Sequence, residues 1–278
     1  MPSSTDNPLQ TGPLGQASEY PTEYAPGVLH PIPRSQARAL IGFSAATQMY
    51  GVDLWNCYEF SWLNDRGLPQ VAIVQLQVPI GSASIVESKS LKLYLNSFAQ
   101  TRFADAAEVR SALDKDLANA FGAPITVVAQ SIDEHALPVS VLAGKSLDEL
   151  AVEIDTYEHD IGLLGTTKPD RTVNQSWSTN LFRSLCPVTS QPDWASLQID
   201  YAGPEFEPAA LLRYLVSYRN HQAFHEATIE QIYLEICSTY RPTALSVNGR
   251  FLRRGGIDIN PFRSSREQAA PSARLVRQ

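Results

Sequence analysis

Apolar and polar residues alternate along VAIVQLQVPI (71–80). Val74, Leu76, Val78 and Ile80 fall on one side of an extended chain, the period-2 pattern of a half-buried strand. The preceding DLWNCYEFSWLN (53–64) also reads as strand. Helical spacing follows at about 90–102 and 104–121; the second stretch carries Val109, Leu113, Leu117 and Phe121 four apart and stops at Gly122 and Pro124. PITVVAQSID (124–133) returns to strand. The same order then recurs: SWSTNLFRSLC (176–186) is strand-like, and ASLQIDYAG (195–203) alternates through Leu197, Ile199 and Tyr201. Helices are predicted at about 208–219 and 225–240, and TALSVNGRFLRR (243–254) alternates through Leu245, Val247 and Phe251.

Given twice, this order predicts an α+β chain of two units, each an antiparallel sheet with two helices packed on one face. The units are drawn at 46–168 and 169–278, behind an arm at 1–45. Seven of the nineteen prolines lie in the first 35 residues, so the arm reads as an extended tail outside the core. The C-terminal PFRSSREQAAPSARLVRQ is polar and irregular, which confines the expected core to about 45–262.

Composition narrows the setting. A chain of 278 residues with 44% hydrophobic residues suits one large or two ordinary soluble domains. No apolar run approaches the roughly 20 residues of a membrane span, and no basic-then-apolar leader opens the chain. Three cysteines without framework spacing fit a reducing compartment, so a cytoplasmic location is expected. A formal charge of -7 argues against bulk nucleic-acid binding. Neither GxGxxG after a strand nor GxxxxGK[ST] occurs, so a nucleotide cofactor would have to be held in another way.

Candidate chemistry gathers at SLCPVTSQPDW (184–194). Cys186 precedes Pro187, which biases it toward extended backbone where a strand runs into a loop, more reachable than a cysteine on a helix stripe. The plain alternative is a small hydrophobe at a strand end. Cys237 shares a helical stripe with Ile229, Ile232, Tyr233 and Ile236, and Cys57 sits in a hydrophobic strand; both read as structural. His221 and His225, four apart, would make a zinc site with Cys186, although Asn220 and His221 look like a turn and no CxxC or HExxH supports it. Glu226 falls on the buried stripe of Ile229 and Tyr233, where a carboxylate needs a partner. Kept ionised by the helix N-terminus, it would offer two acceptor oxygens to the adjacent donors of a guanine-like base. The alternative is a helix-end carboxylate facing water. In VESKSLKLYLNSF (86–98), Glu87, Ser88, Lys89 and Lys92 crowd a helix start, which would suit phosphate or simply a solvated cap.

Taken in order, ESKSLKLYLNSF, LCPVTSQPDW, FHE (224–226) and RRGGIDINP (253–261) resemble the NADPH-dependent nitrile reductases of queuosine biosynthesis, the 7-cyano-7-deazaguanine reductases, in their long two-module form. The resemblance covers nearly all the chain beyond the arm. It implies tandem T-fold (tunnelling-fold) modules, a homodimer, a 7-deazaguanine substrate, NADPH as co-substrate used twice per turnover, and no metal. By motif position, Cys186 would attack the nitrile and form a thioimide, and Asp193 would donate the proton. His225 and Glu226, with Val86, Glu87 and Ser88, would bind substrate. Ser88, Lys89, Arg254 and Gly255 would hold NADPH, and Phe224 is the expected lid. The site should form between the two units. An aspartate that donates at pH 7 needs its pKa raised by about three units, with burial between Pro192 and Trp194 as the expected source. Two other functions suit the same residues: a zinc-dependent purine or pterin cyclohydrolase with Cys186 and the histidines as ligands, and a purine-binding module in which Cys186 is dispensable.

Overall fold

The computed structural model describes residues 20–44, 47–133 and 139–278. Residues 1–19 and 45 of the expected arm lie outside them. The first half runs β1 (Pro31–Pro33), α1 (Arg34–Leu40), β2 (Tyr50–Leu63), β3 (Pro69–Pro79), β4 (Ser84–Val86), α2 (Ser88–Ser97), α3 (Ala106–Phe121) and β5 (Thr126–Gln130). Short strands β6 (Val139–Ser140) and β7 (Lys145–Ser146) lead to β8 (Thr167–Thr179), β9 (Arg183–Leu185) and β10 (Pro192–Phe206). Then come α4 (Pro208–Ser217), α5 (His225–Tyr240), β11 (Ala244–Phe251), β12 (Ile257–Ser264) and β13 (Arg274–Leu275). Local chemistry sets several of these bounds. Asp105 caps α3 by accepting from Glu108 N at 2.9 Å, and Gly122 ends it in the left-handed conformation, φ 67°. In β3 the alternation is read out directly, with Ala72, Val74, Leu76 and Val78 buried.

The chain is mixed α and β around a large, mostly antiparallel sheet. Its strand order is β5-β3-β2-β12-β11-β10-β8-β7, antiparallel except for β7 on β8. The two separate sheets expected are therefore one. The join is made by β12, which leaves the second half to pair with β2, Cys57 opposite Ile257 and Trp55 opposite Ile259. Across the other edge of β12, Val247 faces Arg263. Side chains alternate along a strand, so Trp55, Cys57, Ile257, Ile259, Arg263 and Val247 all project from one face. That face carries both cores. Trp55, Val74 and Leu76 pack on Leu91, Leu113 and Leu117 of α2 and α3, while Leu197, Ile199 and Val247 pack on Leu211, Leu215 and Ile232 of α4 and α5. Although β12 lies at 257–264, Ile257 and Ile259 belong to the first core.

Between the cores the same face turns ionic. Arg263 reaches Asp53 at 2.7 Å and Glu230 of α5 at 3.0 Å; Arg34 pairs with Asp53 at 2.6 Å and Arg38 with Glu230 at 2.8 Å. Charges this deeply buried persist only as a mutually satisfied set. Arg34 and Arg38 belong to the expected arm, which from Tyr24 onward is packed and not a free tail: β1 pairs β4, and the Tyr24 ring meets Phe98 edge-on at 5.1 Å. The C-terminal segment is also docked. On the sheet's opposite face Asn56 and Tyr58 donate to Asp258 at 2.7 Å, and Gln278 donates to Asn260 at 2.6 Å, so the ordered structure runs past the expected limit at 262. Among the described residues, no helix is long and apolar enough to cross a membrane.

Candidate active site

The β9–β10 hairpin brings the cysteine and the aspartate together. Asp193 pairs with Ser184 and Pro192 with Leu185, so Cys186 leaves β9 beside the start of β10. The connecting loop is tight: Cys186 N donates to Gln191 O at 2.9 Å, Ser190 N donates to Cys186 O at 3.0 Å, and Ser190 takes φ 56°. Cys186 is a free thiol and only 6% exposed, more enclosed than a loop position suggested, yet it lines a cavity. The cavity measures about 70 Å³ and its walls include Trp55, Ile85, Val86, Ser88, Lys92, Asp193, Phe224, His225, Glu226, Leu252 and Arg254. Strands β2, β4 and α2 come from the first half, the hairpin and α5 from the second.

His225 and Glu226 open α5. The His225 ring lies flat on Phe251, centroids 3.9 Å apart, and its Nε2 is 3.3 Å from Asp193 Oδ2. The other oxygen of Asp193 accepts from Arg254, whose second amino group reaches Gln191 Oε1. Asp193 is 2% exposed, and that burial works against its charge. His225 and Arg254 outweigh burial and hold the carboxyl below the usual aspartate range, the reverse of the rise expected from the sequence. His225 is the larger influence and Arg254 adds to it, although sequence reasoning placed Arg254 on the cofactor and not on the aspartate. Glu226 behaves oppositely. At 3% exposure, desolvation and then the Asp53 charge push it up to about 7, against the opposing pull of His225 and Arg34. It was expected to stay ionised through the helix N-terminus; burial is the larger effect.

The remaining expected residues divide among distinct positions. Val86 and Ser88 line the first cavity. Glu87 does not: it caps α2, accepting from Lys89 N at 2.7 Å and Ser90 N at 2.9 Å, which uses both carboxylate oxygens. Lys89 and Gly255 line a neighbouring cavity of about 340 Å³ with Cys57, Glu59, Lys92 and Gly256. There the Gly255–Gly256 turn takes φ 59° and 79°, and a Cβ on Gly256 would lie 2.8 Å from Glu59 Cγ. Two ammonium groups beside a glycine turn suit a phosphate-bearing nucleotide such as NADPH. Lys92, which the sequence placed only among the charges crowding a helix start that would suit phosphate, borders both cavities; it stands four residues after Ser88, on the same helix face. Burial, then Arg254, holds Lys92 below the usual lysine range. His221 turns elsewhere, its ring against Tyr218 and His159 at 5.0 and 5.4 Å, with burial taking it down to about 4. The Cys186, His221 and His225 ligand set is thus not assembled. Among the described residues no group of three or more His, Cys, Asp or Glu is placed to hold a metal.

Comparison with known proteins finds relatives along nearly the whole chain. Residues 20–129 match the family model described as nitrile reductase, 7-cyano-7-deazaguanine-reductase N-term, and residues 192–270 match that of a QueF-like protein. Proteins named NADPH-dependent 7-cyano-7-deazaguanine reductase from Burkholderia vietnamiensis, Burkholderia multivorans and Burkholderia cenocepacia are each 47% identical over 270 residues, covering 96% of this chain and 98% of theirs. The chain belongs to the family of NADPH-dependent 7-cyano-7-deazaguanine reductases.

Proposed function

We propose that this protein reduces the nitrile of 7-cyano-7-deazaguanine to the primary amine at the expense of NADPH, through a thioimide on Cys186, in queuosine biosynthesis. The observation that carries the reading is the convergence of Cys186, Asp193, His225 and Glu226 on one small cavity whose neighbour suits a nucleotide. A nitrile carbon is a poor hydride acceptor, and thiol addition replaces it with a better polarised carbon. Addition of S–H across C≡N is proton-neutral: the thiol proton ends on nitrogen as the S–C bond forms and one C–N π bond breaks. An ionised Asp193 suits this order, because it takes the Cys186 proton as a base and returns it to the nitrile nitrogen as an acid. His225 Nε2, 3.3 Å from the second oxygen of Asp193, is placed to pass that proton on.

Ser88, Lys89, Lys92, Arg254 and Gly255 are the residues that would hold NADPH. When bound there it supplies hydride, and the four-electron change from nitrile to amine takes two. After the first reduction, loss of the Cys186 thiolate leaves an imine that water would hydrolyse. Phe224, in the cavity wall, is placed to exclude that water. Glu226 accepts from the ring N–H and amino group of the base and so fixes which face of the nitrile meets Cys186. The repeated strand, helix and strand order supports tandem tunnelling-fold modules. A homodimer and a cytoplasmic setting follow from the family resemblance and the three free cysteines.

The test mixes purified protein with NADPH and 7-cyano-7-deazaguanine. Two nicotinamide equivalents are expected to be oxidised per amine detected by mass. A hydrolysed product, or no NADPH oxidation, would overturn the reading.

A further inference from the structure

Glu226 is a partition between two cavities. One side faces the substrate cavity; the other faces a pocket of about 20 Å³ that it shares with Ile32, Arg34, Ile85, Phe224 and Glu230. A space of that size takes a single water. Arg34 is 5% exposed, donates to Asp53 at 2.6 Å and to Ser82 Oγ at 2.9 Å, and comes from the N-terminal segment that also carries β1 onto β4. Around this point, among the described residues, Arg34, Arg38 and Arg263 pair with Asp53 and Glu230, so the buried set is one negative charge short. An ionised Glu226 completes it.

We infer that Arg34 and Asp53 are positioning residues for substrate binding: as a pair behind the cavity wall they set the charge on Glu226, and with it the affinity for the base. The inference rests on Glu226 being the group that recognises the base. The charges facing Glu226 are His225 on its own helix, Asp53 on β2 and Arg34 on α1, with Glu230 and Arg263 behind them; Cys186, Asp193, Lys92 and Arg254 stand across the substrate cavity. Asp53 raises and Arg34 lowers the pH at which Glu226 gives up its proton. Only the ionised form offers two acceptors, so affinity falls as pH drops below that point.

The test is the dissociation constant of 7-cyano-7-deazaguanine measured across about pH 5.5 to 8.5. It uses a Cys186→Ala background, which cannot form the covalent bond. Removing one facing charge is expected to displace the acid limb by about one pH unit, upward in Arg34→Gln and downward in Asp53→Asn. On the acid limb that is about tenfold weaker and about tenfold tighter binding respectively. Equal loss at every pH, or no displacement in either variant, would overturn the inference. Glu226→Gln separates this from failure of the underlying reading. It should flatten the limb; a limb that persists there means Glu226 does not recognise the base. Thermal unfolding checks each fold. Should Arg34→Gln not fold, Arg34→Lys, which keeps the charge, has to keep the wild-type limb while Asp53→Asn moves it.

Discussion

The cavity of about 70 Å³ around Cys186 is walled by buried and half-buried groups, with Asp193 held from two sides. Its neighbour of about 340 Å³ is bordered by exposed residues, among them Tyr20, Glu59, Asn96 and Gly255. The difference follows the work proposed for each. A substrate bound covalently for the first reduction and kept from water as an imine for the second needs a closed, desolvated slot with its proton carriers already oriented. A nucleotide that must leave and be replaced between the reductions needs an open groove with charges at its rim. The two share Lys92, while Arg254, in the wall of the slot, leads into the Gly255–Gly256 turn of the groove, so those residues stand between binding in the groove and the state of the slot.

Cysteine gives the sharpest way to break this contrast, because one lines each cavity. Cys57 lies in the groove, 1% exposed, with burial pushing its thiol far up. Incubation with nitrile and no NADPH should add one substrate mass to the chain, located on Cys186. Cys186→Ala should abolish the adduct and Cys57→Ala should retain it. An adduct on Cys57 in intact-protein mass spectrometry would reverse the assignment of the two cavities.

The next largest effect concerns Asp193. Asp193→Asn neither takes the thiol proton nor returns it, and the rate of adduct formation should fall at least about 100-fold. Base binding, measured by titration calorimetry, should survive through Glu226. Asp193 is held below the usual range, first against desolvation and then by His225 and Arg254. A depressed carboxyl contributes activity and stability above its unfolded pKa and loses both as pH falls through the folded value. The acid limb of adduct formation in the wild type should therefore lie below about pH 4, unless Arg254 is drawn away. Near-normal adduct formation by Asp193→Asn would leave His225 as the proton carrier.

Arg254 tests the connection itself. Loss of its charged hydrogen bonds is worth about 1.5 kcal/mol, so Arg254→Ala should raise the KM for NADPH roughly tenfold. The same variant frees one oxygen of Asp193 and should move the acid limb of adduct formation upward. A change in KM with no movement of that limb would place Arg254 in the groove alone.

How much of this was legible in the sequence depends on which interactions are local. The alternation in 71–80 and the stripe of α5 are set by residues near one another, and periodicity reported them. What could not be read were long-range consequences. Nothing in RRGG says that Arg254 turns onto Asp193, 61 residues earlier. A lone arginine after PIP gives no sign that the proline-rich arm ends in a buried ion pair with Asp53. Continuous pairing of β12 with β2 was equally hidden, because 257–264 carries Asn, Pro and Arg where a strand pattern would show apolar residues. Those polar residues are tolerated there because Asn260 and Arg263 each find buried partners.

The slot's own stability turns on Glu226. Desolvation and Asp53 push Glu226 up to about 7, whereas a carboxyl of this kind in the unfolded chain titrates near 4.3. The folded state thus prefers the protonated form. Between the two values the unfolded chain sheds its proton first, so folding stability is lost as pH rises from about 4.3 to about 7 and stays lost above it. That cost is on the order of 2 kcal/mol once discounted for the coupled neighbours Asp53 and Arg34. Glu226→Gln removes the titration while keeping the shape. At about pH 8 its Tm should exceed wild type by about 4 °C, and at about pH 4 the two should agree. Catalytic efficiency should move the other way, falling roughly 30-fold as a charged hydrogen bond to the base is replaced by a mismatch. A variant both less stable and less active at pH 8 would mean that Glu226 stays ionised without strain, its charge fully compensated by Arg34 and the helix N-terminus.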